Sequence, residues 1–199
     1  MKHLSNRLSA LAIAGATIAI GAQASAADPM SREICKQVVP SVGKQYAGIL
    51  QPIAREGHCL AGDFNGDGKP DAIMVVKVLV GKVAPTTGIK TLPTFWEQTH
   101  EKGRLQFLAL HSTASAAASA WDKYDRLLLD GNSPILVLRR EEMVSDMLRV
   151  TPRSREVKEL QVPRKDMRGD GMHLDTEAVS AILYWNGKKY VFHEDPAGP

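Results

Sequence analysis

Four potential metal donors fall within one short segment. Gly62–Val76 reads GDFNGDGKPDAIMVV, which places Asp63, Asn65, Asp67 and Asp71 at loop positions one, three, five and nine. Alternate positions of a tight loop can turn their side chains toward a common centre. Oxygen donors arranged in this way suit a hard divalent cation such as calcium, which takes six to eight oxygens at about 2.3–2.6 Å. Gly68 follows the third donor and allows the sharp bend. The carbonyl of Lys69 can add an oxygen, and Asp71 closes the ring. The expected metal ligands are therefore Asp63, Asn65, Asp67, Lys69 and Asp71, with calcium as the cofactor. Asp, Asn and Gly also dominate ordinary polar turns. Three carboxylates at ligand spacing, however, repel one another unless something neutralises them.

The spacing excludes an EF-hand, which needs a bidentate Glu at position twelve, where this chain has Met74. Asp71 also runs straight into an apolar segment, and Pro70 stiffens the turn before it. The pattern of Asp63, Asn65, Asp67, Gly68 and Asp71 resembles the calcium loop of FG-GAP and VCBS-type repeats. Those repeats form strand–turn–strand units in integrin-like β-propellers. The likeness is confined to Gly62–Val76 and to a single copy. It implies a local calcium site and not a propeller, which needs several blades. The chain is also similar to small uncharacterised bacterial periplasmic proteins with one GDFNGDGKPD loop and a YWNGKKY-type hairpin, a resemblance that implies no activity. Extracellular sites of this class bind calcium at about 10⁻⁴–10⁻³ M, the range of a structural clip rather than a sensor.

The N-terminus supplies the compartment. Lys2, His3 and Arg7 make a basic head, Ala10–Ala22 is small or apolar, and Ala24-Ser25-Ala26 follows. That order is a secretory signal, so residues 1–26 are expected to be removed and 27–199 to fold as one periplasmic or secreted domain. The apolar run is shorter than the roughly 20 residues that span a bilayer. No cysteine stands at the cleavage point, so a lipoprotein is not expected. Both cysteines, Cys35 and Cys59, lie beyond it. An isolated pair in an oxidising compartment forms a disulfide, worth roughly 3 kcal/mol at this loop length. Two buried thiols are the alternative, and only His58 is near enough in sequence for a Cys-His metal site.

The chain carries 25 basic and 22 acidic residues, and loss of Lys2 and Arg7 leaves it near neutral. Nucleic-acid binding needs clustered excess charge and is not expected. A hydrophobic content of 44% excludes a disordered chain.

Several elements must position the loop. Ile34, Val38 and Val39 recur at helical spacing before Pro40, and Val42, Tyr46, Ile49 and Leu50 read as a second short helix ending near Pro52. Asp71–Val80 is β-branched and almost wholly apolar, as in a strand covered on both faces. Leu105–His111, Pro134–Arg139 and Glu156–Val162 read as further strands. Thr113–Leu129 reads as helix from its alanines, and Val83–Gly103 as a long connection with little regular structure. Asn186-Gly187, between Ala178–Trp185 and Lys188–His193, signals a β-hairpin. Asp166–Asp175 holds another Asp-Gly, an echo of the first loop with Arg168 and Leu174 where ligands would be needed. The fold class is thus α+β: a β-rich single domain with an N-terminal helical cover, a strand–calcium loop–strand unit and a C-terminal hairpin.

Catalytic signals are weak. His58, His100, His111, His173 and His193 are scattered, with no H-E-x-x-H spacing, and no G-x-S-x-G elbow, phosphate loop or dinucleotide fingerprint occurs. His111 adjoins Ser112 at a strand end, slender material for a nucleophile. Trp96, Trp121 and Trp185 read as packing residues, and Arg168-Gly169-Asp170 is a short match common by chance. The leading expectation is a non-enzymatic, calcium-stabilised exported domain that binds a protein or envelope partner. An inhibitor or immunity protein against an envelope hydrolase and a calcium-dependent hydrolase are the alternatives.

Overall fold

The computed structural model describes residues 29–93, 102–113, 124–130, 147–175 and 180–194. The expected signal sequence, the strand at Pro134–Arg139, and His100, Trp96 and Trp121 lie outside them. Among the described residues no helix is long and apolar enough to cross a membrane.

The fold is α+β and mostly strands. A first sheet contains β1 (Leu50–Pro52), β2 (Cys59–Gly62), β3 (Asp71–Val78), β4 (Ile89–Pro93), β5 (Arg104–Ser112) and β6 (Tyr124–Asp130). Its order is β1-β3-β5-β6-β4, with β2 following β1 along the same edge of β3. β4 and β6 run parallel, and the other pairs are antiparallel. A second, antiparallel sheet is ordered β10-β9-β8-β7, from β7 (Met147–Val150), β8 (Gly171–Asp175), β9 (Ser180–Trp185) and β10 (Tyr190–Glu194).

Side-chain alternation stacks these sheets between helical covers. Ile73 and Val75 of β3, Phe107 and Ala109 of β5, and Leu127 and Leu129 of β6 face Met147, Met172, Leu174 and Leu183 of the second sheet. Their neighbours Ala72, Met74, Val76, Leu108, Leu110 and Leu128 face the other way, toward Val38 and Val42 of helix α1 (Pro29–Gln45) and toward Tyr46. Burial on both faces explains why β3 reads as an unbroken apolar run. Beyond the second sheet, Ile182 and Tyr184 are covered by Val157, Leu160, Val162 and Met167. The latter belong to helix α2 (Arg155–Glu159) and the segment after it. The Cys35–Cys59 disulfide joins α1 to β2, and Ala61 N donates to Ser31 Oγ at 2.8 Å beside it.

Several expectations are corrected. Pro40 does not end the first helix, and no second helix follows, since Leu50 already begins β1. The helix survives a missing N–H because Val38 and Val42 bury one turn apart on the first sheet and the disulfide holds the same helix. Tyr124–Asp130 is a strand and not the end of a helix, because a site between β5 and β4 rewards its three leucines on both faces. Conversely, Glu156–Val162 is no strand: Arg155–Glu159 is helical, with Ser154 at its N-cap and an Arg155–Glu159 pair at 2.6 Å. Val83–Gly103 contains β4 and a 3-10 turn at Pro85–Thr87. The C-terminal hairpin is present, but its turn takes four residues, Asn186–Lys189, rather than Asn-Gly alone, with Tyr190 opposite Trp185.

Candidate functional site

The acidic loop bridges β2 and β3. Phe64 sits between two of the donor positions and points the opposite way into the inter-sheet core, where it is 1% exposed. This alternation anchors the loop and leaves Asp63 and Asn65 to organise its polar side. Gly66 and Gly68 adopt left-handed φ values of 78° and 80°, which bend the chain back over those side chains. Asp63 Oδ1 accepts from Gly66 N and Asp67 N at 2.8 and 3.0 Å, and its Oδ2 accepts from Gly68 N at 3.0 Å. Asn65 Oδ1 accepts from Asp67 N, and Asp67 Oδ1 from Lys69 N, both at 2.9 Å. Asp67 Oδ2 lies 3.4 Å from Lys69 Nζ.

Asp71 differs from the rest in being wholly buried. Its Oδ2 accepts from Asn65 N at 3.0 Å, and its Oδ1 accepts from Ser112 N at 2.8 Å. One carboxylate thereby fastens the loop to the end of β5. The expected ligands Asp63, Asn65, Asp67, Lys69 and Asp71 are thus gathered in one loop, with the four polar side chains turned onto backbone N–H groups. Among the described residues no group of three or more His, Cys, Asp or Glu side chains is placed to hold a metal ion. A carboxylate offers about four lone-pair sites. Of these Asp63 uses three, Asp71 two and Asp67 one on N–H groups. The remaining donors are all oxygen, the chemistry a hard cation takes.

A second segment completes this region. Asp63 N donates to Asp170 Oδ2 at 3.1 Å, and Asp170 N donates back to Asp63 O at 2.7 Å. A Cβ on Gly66 would overlap the carbonyl of Arg168, and one on Gly169 would overlap that of Asp63. The Arg168-Gly169-Asp170 tripeptide is therefore packed backbone to backbone against the loop, with Arg149 Nη1 4.0 Å from Asp170 Oδ2. Sequence reasoning missed this partnership. The only local sign was the second Asp-Gly, Asp170-Gly171.

No protein-family model, curated protein or solved structure matches the chain. The site is accordingly read from its own geometry.

Beside the loop, on the inter-sheet side, a polar cluster fills the core margin. His111 Nε2 and Tyr190 Oη share a hydrogen bond of 2.7 Å, and Trp185 packs edge-on against both rings at 5.2 Å. The register Ala72↔Leu110, extended by one step, sets Asp71 opposite His111. Burial pushes the Asp71 carboxyl up to about 7, with Asp67 and Asp63 adding to the rise and the Ser112 and Asn65 N–H groups opposing it. Burial lowers His111 to about 4, against the pull of Asp125, Asp67 and Asp63. Tyr190 is raised well above the usual phenol range by burial and then by Asp71. Asp170 is raised too, first by burial, while the Asp63 N–H and Arg149 pull it down. His173 shares a 3.0 Å hydrogen bond with Ser180 Oγ, and His193 Nε2 meets the Leu160 carbonyl at 2.9 Å. These histidines stand apart from the loop as structural members of the second sheet.

Proposed function

We propose that the chain is an exported, non-enzymatic binding domain whose acidic loop is stabilised by one calcium ion, and whose partner is a protein or an envelope component. Asp63, Asn65, Asp67, the Lys69 carbonyl and Asp71 would hold the ion. The observation that carries this reading is the gathering of Asp63, Asn65 and Asp67 on one turn bent by two left-handed glycines, each accepting a backbone N–H of that turn. Backbone N–H dipoles and the Lys69 ammonium offset the repulsion between Asp63 and Asp67, and a divalent ion offsets it further. The absence of catalysis in this reading is supported by the His111–Tyr190 pair, whose members are only 8% and 4% exposed and so closed to a substrate. The disulfide supports an oxidising compartment.

Thermal melts with millimolar calcium and with EGTA test the clip. At ten times the dissociation constant, ligand linkage adds about 1.4 kcal/mol, and the midpoint rises accordingly. Identical midpoints in the two buffers overturn the metal assignment. N-terminal sequencing of the exported protein tests the compartment, with Ala27 expected as the first residue.

A further inference from the structure

The near-neutral chain does not spread its charge evenly. The 3-10 segment Arg164–Asp166 leads into Met167 and Arg168, and Met167 N donates to Arg164 O at 3.2 Å. Arg168 N then donates to Trp185 O at 3.0 Å, which lays this segment beside the C-terminal hairpin turn. The Arg168 side chain runs across that turn, with its Nε 3.1 Å from where a Cβ on Gly187 would stand. Asn186 Oδ1 accepts from Lys188 N and Lys189 N, both at 2.9 Å, and so holds the two lysines in a defined turn. Arg164, Lys165, Arg168, Lys188 and Lys189 therefore share one exposed corner. Among the described residues, Arg164, Lys165, Arg168 and Lys188 form no ion pair.

Among the described residues, the acidic side chains along this stretch and the loop behind it are, apart from the buried Asp71, Asp63, Asp67, Asp166 and Asp170. Asp166 lies within the 3-10 segment. Asp67, in the loop behind Arg168, is already matched by Lys69 at 3.4 Å, and Asp170 faces Arg149. Arg164, Lys165, Arg168 and Lys188 thus stand exposed beside Asp166, while the Asp63 carboxylate is turned onto the N–H groups of Gly66, Asp67 and Gly68. Among the described residues the only exposed large hydrophobic side chain is Met30, on α1. The corner consequently offers no aromatic platform for stacked bases and no wedge for the acyl region.

We propose that this corner docks the protein electrostatically on an anionic phospholipid bilayer. The proposal deepens the envelope-binding reading above and rests on it for the compartment alone; it needs no metal in the loop. Charge complementarity carries the assignment, because clustered Lys and Arg partition onto anionic leaflets with about a fivefold gain per residue at the surface. A phosphate-studded surface offers anionic partners to the exposed Arg164, Lys165, Arg168 and Lys188.

Cosedimentation of the purified protein tests it, with EGTA present throughout. Vesicles of phosphatidylethanolamine with phosphatidylglycerol are compared with phosphatidylcholine alone, at low and high salt. Binding is expected on the anionic vesicles only, and screening by salt weakens it. The K165E/K188E double variant is expected to lose on the order of 25-fold or more in partitioning, with an unchanged melting temperature. K36E/K44E, on exposed α1 positions, makes the same change in net charge and is expected to bind as the parent does. Equal binding to both vesicle types, full binding by K165E/K188E, or equal loss in K36E/K44E overturns the proposal. Tighter binding to double-stranded DNA than to the anionic vesicles overturns the lipid assignment. A calcium-insensitive melt leaves this result standing and removes only the clip, so the two failures are separable.

Discussion

The acidic loop at Asp63–Asp71 turns its carboxylates onto its own backbone, whereas Arg164, Lys165, Arg168 and Lys188 in the basic corner carry exposed charges with no ion pair among the described residues. In the loop, side-chain oxygens satisfy backbone N–H groups one after another, and glycine backbones press against the 168–170 segment. In the corner, the order lies in the backbone and in Asn186, and the basic side chains extend from it. Similar numbers of charged groups therefore have different uses. The loop's polar groups are part of the fold, whereas Arg164, Lys165, Arg168 and Lys188 form no ion pair among the described residues.

Substitutions that strike the two regions unequally sharpen this contrast. G66A gives the largest expected loss, about 4 kcal/mol, since its methyl must displace the Arg168 carbonyl in addition to straining a left-handed residue. Chemical denaturation reads it, and a loss below that of G68A breaks the picture of a packed loop. The C35A/C59A pair follows at roughly 3 kcal/mol, because the disulfide anchors the strand that leads into the loop. G68A comes next at about 1 kcal/mol: its φ is also left-handed, yet nothing lies within 4 Å of an added Cβ. K165E/K188E closes the series within about 0.5 kcal/mol of the parent, as surface substitutions outside packed or bonded sites do. A large loss there would make the corner a fold element and erase the comparison.

The pH dependence offers a finer test, because two groups flanking the same strand ends act in opposite senses. In the calcium-free protein, with EGTA present, Asp71 is raised in the fold, to about 7, so the folded state holds its proton more tightly and stability falls as pH rises from the ordinary carboxylate range through about 7. His111 is lowered, to about 4, so its contribution is complete above the ordinary histidine pKa and is lost as pH falls through about 4. Over the range they share, the two slopes offset each other. H111Q is expected to expose a decline in stability with rising pH, and D71N a rise. Parallel curves for both variants would show that neither group titrates as its burial dictates.

Local pattern made some of this legible. Alternate donors and Gly68 announce the loop at Asp63–Asp71, and an unbroken apolar run announces β3. The pairing of two cysteines follows once both lie in an oxidising compartment. Where local preference and tertiary demand conflict, reading from sequence failed. Tyr124–Leu129 reads as the end of an alanine-rich helix until a slot between β5 and β4 is available, and Pro40 looks like a helix end until burial and a disulfide hold both sides of it. The partnership of Asp63 with Asp170 spans 107 positions, and no short-range signal reports it.

By itself, then, the chain's sequence determined the elements whose chemistry is contained in a few neighbouring residues: the bend of the loop, the unbroken apolar run of β3, and the hairpin signal at Asn186-Gly187. Tertiary structure alone decided what those elements face. It buried Asp71 and His111 side by side, set Gly169 against the loop, and gathered Arg164, Lys165 and Arg168 with Lys188 and Lys189 into one corner. The physical reason is range: backbone dihedral preferences and side-chain alternation act over a few residues, whereas desolvation, backbone-to-backbone contact and charge clustering depend on distances that exist only after the sheets have packed.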